Sequence, residues 1–271
     1  MNPLQTAEAA GPVLLESVQD GVALLVMNRP EKLNALNNDL SAALNQAFER
    51  IDKDDSVRIV VLTGAGRAFC AGGDLALIGK GREARDPKQV EAILRAGMGA
   101  VLRMRTIQQP VIAAVNGAAA GAGMNIALAA DIRIAAEEAM FGQNFAKVGL
   151  FPDYGGTFFL PQLVGPSKAA ELFYTGEMID AQSALRFGLV NRVVPGARLE
   201  AEAKLYAAKL ASGPPLAMRA VKQTLFATDK EALQRALEAE AMQQMRCFAS
   251  DDSLEGIHAF FEKRPPNFKG C

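Results

Sequence analysis

One carboxylate in this chain sits where a carboxylate is least at home. Asp153, in KVGLFPDYGG, lies between Pro152 and the Gly155-Gly156 pair with apolar residues on its N-terminal side. Earlier, NGAAAGAGMN forms a turn so rich in Gly and Ala that little side chain separates its backbone from whatever approaches it. Peptide N–H groups at such a turn, ahead of a helix, lack an intrahelical acceptor and are free to bind an oxyanion. The pairing suggests a group that moves a proton beside a turn that holds negative charge. The single histidine, His258, is near the C-terminal end, and Cys70, Cys247 and Cys271 lack CxxC spacing. A histidine-based triad or a multi-histidine zinc site is therefore disfavoured, and proton transfer falls to carboxylates.

A second small-residue turn, TGAGRAFCAGGDLALIGKG, admits three readings. A phosphate loop needs four residues between its first Gly and the Gly-Lys pair; here five separate Gly73 from Gly79, and Lys80 precedes Gly81. That reading fails. A flexible loop and a backbone N–H held open at Gly73, with a helix starting behind it at Asp74, both remain. The Gly121-x-Gly123 pair fails the dinucleotide fingerprint, because residue 126 is Ile126 rather than Gly or Ala. Asp153 likewise has two readings, a proton carrier or the N-cap of a following helix. Asn125 reads as a buried polar group satisfied locally, and Phe145 and Tyr154 as packing.

The elements that would position these groups follow from periodicity. Val13 to Met27 alternates about Asp20-Gly21, the pattern of a hairpin. A helix is expected over residues 37–52, a buried strand at 59–62, a polar connection over 80–89 and a helix at 89–107. A strand at 111–115 then leads through the Gly-Ala turn to a helix from about Met124 and a strand at 131–135. Two helices (167–174 and 181–187) and a last short strand precede a tail that is helical throughout, over 199–211, 215–226, 230–248 and 253–263. The expected class is α/β, with a mixed core over 1–199 and an all-helical region over 200–271.

With 29 basic and 30 acidic residues, the chain has no general attraction for nucleic acid or anionic membranes. The Ala-rich central stretch is broken by Asn116, Asn125 and Asp131, so it is not read as a membrane span. The N-terminal MNPLQTAEAAGPVLLES lacks the basic cluster and apolar run of a secretory signal. Unpaired cysteines point to a reducing, cytoplasmic setting.

Four segments in order (NRPEKLNAL, GRAFCAGGDL, NGAAAGAGMNIALAADI and KVGLFPDYGG) resemble the crotonase, or enoyl-CoA hydratase/isomerase, superfamily, and the likeness extends to AFFEKRPPNF. The resemblance implies a spiral of strand-strand-helix turns with a helical tail that builds trimers or dimers of trimers. It implies an acyl-CoA thioester substrate, with coenzyme A entering as part of that substrate and no separate cofactor or metal. The thioester oxygen would accept from the N–H groups of Gly73 and Ala122. Backbone of Ala68, Ala71, Asp74 and Leu75 would surround the adenine and pantetheine, with Lys32 and, from a neighbouring subunit, Phe260 and Lys263 near the nucleotide end.

Hydratases of this family use two glutamates, at the positions of Asn125 and Phe145. Neither residue here ionises. Asp153 matches the aspartate used by isomerase branches, among them the phenylacetate-pathway enzyme that converts a ring-epoxide CoA to an oxepin. The resemblance therefore implies an isomerase acting through Asp153. An atypical hydratase, or a silent acyl-CoA- or RNA-binding homologue, is the alternative.

Overall fold

Residues 11–84, 86–227 and 229–271 are described by the structure, a computed structural model. Residues 1–10, most of the segment read above for a secretory signal, lie outside them.

The chain opens on an antiparallel hairpin, β1 (Leu14–Gln19) and β2 (Val22–Met27), turning at Asp20 and Gly21. Both turn residues have positive φ, 51° and 78°, which is what a two-residue turn matching the strand twist requires. Helix α1 (Asn38–Asp52) follows, its first turn closed by the Asn37 side chain, which accepts the Leu40 N–H at 3.0 Å.

Three strand-strand-helix turns come next. β3 (Ile59–Gly64) and β4 (Ala68–Cys70) lead into α2 (Leu75–Glu83) and α3 (Pro87–Thr106). β5 (Val111–Val115) and β6 (Ala118–Ala120) lead into α4 (Ala122–Ala129). β7 (Ile132–Ala136) and β8 (Met140–Gly142) lead through a 3₁₀ turn (Asn144–Val148) to α5 (Gly156–Val164) and α6 (Pro166–Thr175). After β9 (Met178–Asp180), α7 (Ala181–Arg186) and β10 (Arg192–Val194), the helices α8 (Leu199–Ala211), α9 (Pro215–Phe226), α10 (Asp229–Ala249) and α11 (Asp251–Glu262) complete the chain.

In each of the three turns the first strand joins one sheet and the second joins another. The large sheet has the order β1-β2-β3-β5-β7-β10, parallel from β2 onward; the small one has the order β4-β6-β8-β9, with only β8 and β9 antiparallel. This is the expected spiral. All five residues of β5 are buried, as a parallel strand covered on both faces requires. The small sheet was not anticipated, because three-residue strands are too short to establish a period of two.

Two further expectations are corrected, and a third is extended. The polar stretch from Lys80 is not simply a connection: α2 runs to Glu83, and α3 begins at Pro87 behind an Asp86 cap that accepts the Lys88 N–H at 3.1 Å. α4 begins at Ala122 rather than near Met124. The helices after residue 199, expected as an oligomerisation region, also belong to this chain's own core. α8 packs on β3, β5 and β7, and Arg58 donates to the Ala211 carbonyl at 2.9 Å. α10 lies along α3 and α5, and α11 along α2 and the 3₁₀ turn. Among the described residues, no helix is long and apolar enough to cross a membrane.

Candidate active site

The Gly72-Gly73 turn is shaped by a short ladder with the segment after the first hairpin. Ala71 N–H donates to the Leu33 carbonyl (3.0 Å), Leu36 N–H to Gly72 (2.8 Å) and Asp74 N–H to Leu36 (3.0 Å). Successive peptide groups of an extended segment alternate in direction, so the Gly73 N–H is turned away from Leu36. Among the described residues it has no acceptor. Gly72 has φ 99°, and a Cβ added there would stand 2.8 Å from the Ala120 carbonyl oxygen and 3.6 Å from the Ala122 nitrogen. The two small-residue turns therefore meet at the start of α4.

Ala122 is the first residue of α4, so its N–H has no intrahelical acceptor, and among the described residues it has no other. Gly121 before it has φ 52° and ψ −126°, a conformation open essentially only to glycine. The Phe145 ring lies over that glycine, 3.4–3.7 Å from where a Cβ would be. At Gly123 a Cβ would come within 2.1 Å of the Cys70 carbonyl oxygen, so β4 and α4 are in backbone contact. Burial pushes the Cys70 thiol up to about 12, which leaves it a packing residue.

Asp153 is tied to this arrangement through its main chain. Asn125, one turn into α4 from Ala122, donates from Nδ2 to the Asp153 carbonyl at 2.7 Å and accepts from Gln143 Nε2 at 2.6 Å. Asn125 is the buried, satisfied polar group expected, but its partners are 28 and 18 positions away rather than local. The Asp153 side chain is 7% exposed; Oδ2 accepts from Gln244 Nε2 at 3.0 Å, while Oδ1 is buried without a partner among the described residues. Burial pushes the carboxyl up to about 8, the Gln244 bond opposing the rise and the Glu240 carboxylate adding to it.

The N-cap reading of Asp153 is overturned. The residue at the α5 cap is Gly155, in the left-handed region, and its first turn is closed by Glu240 from α10. Glu240 accepts from the Gly155 N–H at 2.7 Å and from the Thr157 N–H at 2.8 Å, and takes the Thr157 hydroxyl as well. Burial raises its carboxyl and these bonds oppose the rise. Tyr154 is 3% exposed, and its hydroxyl donates to the Ile93 carbonyl at 3.3 Å, consistent with packing.

Gln143, Glu240 and Gln244 were not singled out from the sequence. A signal existed for the last two. Leu233, Leu237, Glu240, Ala241, Gln244 and Phe248 form the buried stripe of α10, so Glu240 and Gln244 interrupt an apolar face at helical spacing.

Of the residues expected around the substrate's coenzyme A portion, the Leu33–Leu36 ladder gathers Lys32, Ala71, Asp74 and Leu75. Lys32 is exposed at the end of a 3₁₀ turn, Pro30–Lys32, next to Leu33. Asp74 caps α2 through the Leu77 N–H (3.3 Å) and pairs with Arg29 at 3.1 Å. Ala68 is 1% exposed, and its carbonyl accepts from Asn34 Nδ2 at 2.8 Å. Phe260 and Lys263 line a surface groove with Lys147, Tyr174 and Phe268, a lining that includes none of the ladder residues. His258 is on the surface beside Glu83, 3.3 Å away. No group of three or more His, Cys, Asp or Glu that could hold a metal exists among the described residues.

Known proteins resemble this chain over nearly its whole length. The model of the enoyl-CoA hydratase/isomerase family matches residues 17–271. A Rhodobacter capsulatus protein named "Probable enoyl-CoA hydratase" is 43% identical over 254 residues, 93% of this chain and 96% of that one. The 1,2-epoxyphenylacetyl-CoA isomerase of Escherichia coli is 38% identical over 257 residues, 95% of this chain and 98% of that one. The crystal structure of an enoyl-CoA hydratase/isomerase from Pseudoalteromonas atlantica superposes with a TM-score of 0.84 at 33% identity, over 95% of this chain and all of that one. The match over residues 17–271 and these near full-length identities show that the chain belongs to the enoyl-CoA hydratase/isomerase family.

Proposed function

We propose that this chain is an acyl-CoA isomerase in which Asp153 carries the proton and the N–H groups of Gly73 and Ala122 hold the thioester oxygen. The observation that carries the reading is Asp153 itself, its carboxyl buried with no partner for Oδ1 among the described residues and its main chain tethered through Asn125 one turn from Ala122. Asn125 and Phe145 stand at the positions expected for a hydratase's glutamates. Neither can activate water as a general base.

For a 3-enoyl-CoA, the Asp153 carboxylate takes a proton from C2 and the electron pair moves into a dienolate. The charge gathers on the thioester oxygen, where two preorganised donors stabilise it. The protonated Asp153 then delivers the same proton to C4, giving the conjugated 2-enoyl-CoA. The balance needs no cofactor and no metal. A carboxyl near 8 suits both steps, because a basic carboxylate takes the proton and the acid formed is retained for return. The 38% identity to an epoxyphenylacetyl-CoA isomerase supports a ring-epoxide CoA as a second candidate substrate, rearranged through the same carboxyl. Coenzyme A would lie along the Lys32, Ala68, Ala71, Asp74 and Leu75 segment, with Phe260 and Lys263 of another copy at its nucleotide end.

Assembly of copies through the helical tail is supported by Leu205, Leu216, Val221, Leu225 and Met242, apolar residues of α8, α9 and α10 that are 57–80% exposed in the single chain. Analytical ultracentrifugation at a trimer mass or a multiple of it is the expected result; a monomer would remove that part of the reading.

The decisive assay follows the ultraviolet absorbance of the conjugated thioester with a 3-enoyl-CoA and, separately, a trans-2-enoyl-CoA, for wild type and Asp153→Asn. Conjugation gained from the first and lost by at least a hundredfold in the variant is expected. Loss of conjugation from the second at a comparable rate would make the protein a hydratase and sink the isomerase reading.

A further inference from the structure

We propose that Gln244 is a positioning residue for Asp153, confining the transferable proton to Oδ1. The inference rests on the proton-transfer reading of Asp153 and concerns which of its two oxygens exchanges the proton.

An amide side chain has one donating and one accepting end, and its neighbours decide which way round it lies. The Phe151 N–H can only donate, and it stands 2.9 Å from the Gln244 amide, so the end facing it must be Oε1. Nε2 is thereby turned to Asp153 Oδ2 at 3.0 Å. Gln244 is 6% exposed, so water does not compete freely for either end. Oδ2 accepts this bond in both protonation states of the carboxyl. A protonated Oδ2 would be a poorer acceptor of this N–H than a carbonyl oxygen, so the Gln244 bond favours Oδ2 as the carbonyl oxygen and the proton on the other oxygen. The proton therefore resides on Oδ1, the oxygen with no partner among the described residues.

Phe151 is two residues from Asp153, so the amide also ties the carboxyl to its own loop. The charged and titratable groups facing Asp153 are Glu240, one turn earlier on α10, and the neighbouring Tyr154 hydroxyl. Glu240 is committed to Gly155 and Thr157, and Tyr154 to Ile93. Gln244 alone among the described side chains donates to the carboxyl.

The test uses the full-length protein and reads the protonated-carboxyl infrared band of Asp153, assigned by difference against Asp153→Asn, as a function of pH, together with isomerisation kinetics. Gln244→Leu removes the donor, and its band midpoint is expected at least one pH unit higher, with kcat down tenfold or more and KM within twofold. Gln244→Glu, an isostere that keeps the Phe151 bond, covers the case in which the leucine variant does not fold. Its two facing carboxyls titrate as a pair whose last proton leaves at least one pH unit above the wild-type midpoint. An unmoved midpoint and wild-type kcat in either folded variant, with Asp153→Asn inactive, overturns this inference alone. Turnover retained by Asp153→Asn overturns the Asp153 reading and this inference with it.

Discussion

The Glu240 carboxylate accepts the Gly155 N–H at 2.7 Å, and so holds the first turn of α5 from a helix 85 residues further along the chain. It also sits close enough to Asp153 to help keep that carboxyl protonated. Glu240→Gln keeps the shape and one acceptor but loses the charge and leaves a buried N–H or hydroxyl poorly served. A loss of about 1–3 kcal/mol in urea unfolding is expected. The same variant removes a like charge, so the rising limb of isomerase rate against pH should move to lower pH. A limb that stays in place would mean that Glu240 is structural only.

Asp153 makes stability depend on pH in a direction unusual for an aspartate. Its folded-state value, about 8, is above the ~3.9 of an unfolded chain. Between those values the native state holds a proton that the unfolded state releases, so stability falls as pH rises through this window and levels off above about 8. Asp153→Asn has no such group. The stability advantage of the variant over wild type is therefore expected to widen by about 2–4 kcal/mol from pH 5 to 8, measured by denaturant unfolding. Parallel curves for the two proteins would show that the carboxyl ionises freely.

How much of this was legible in the sequence divides along physical lines. The hairpin at Asp20-Gly21, the tail helices and the two small-residue turns are local features, set by turn chemistry and periodicity, and they stand where the sequence placed them. Gly73 and Ala122 were implied as donors by the family resemblance; the residues alone marked only two turns built from small side chains. Gln244 left only the mark of a polar interruption in an apolar face; its partner Asp153 is 91 positions away, and nothing local to α10 says what that amide will meet. The alternative reading of Asp153 as a cap failed for the same reason: a good local capper was available, and a distant glutamate took the role.

Gly97 of α3 marks where the loop after Asp153 is clamped. A Cβ there would stand 1.9–2.0 Å from the Tyr154 ring and hydroxyl, far inside contact. Gly97→Ala must therefore displace a buried aromatic residue that adjoins Asp153. A destabilisation of about 2–4 kcal/mol is expected, together with a fall in kcat. Combined with Tyr154→Ala, the total loss should be smaller than the sum of the two single losses, because the clash partner is gone and only the cavity remains. Strict additivity of the two losses would show that the glycine is not there for the ring.

Ala122 permits a sharper test of the oxyanion site than most backbone donors do. It is the first residue of α4, the one helical position where proline fits without losing an intrahelical bond or colliding with a preceding turn. Ala122→Pro therefore deletes the proposed donor while leaving the helix its hydrogen bonds. The ring would project into the space where the thioester oxygen is proposed to sit. Circular dichroism close to wild type is expected, with turnover reduced by at least a hundredfold, about 3 kcal/mol of transition-state stabilisation. Binding of a saturated acyl-CoA is expected to weaken as well, because the ring takes part of the space the thioester oxygen needs. A folded Ala122→Pro protein with wild-type kcat would remove this N–H from the mechanism, even if Asp153 remained essential.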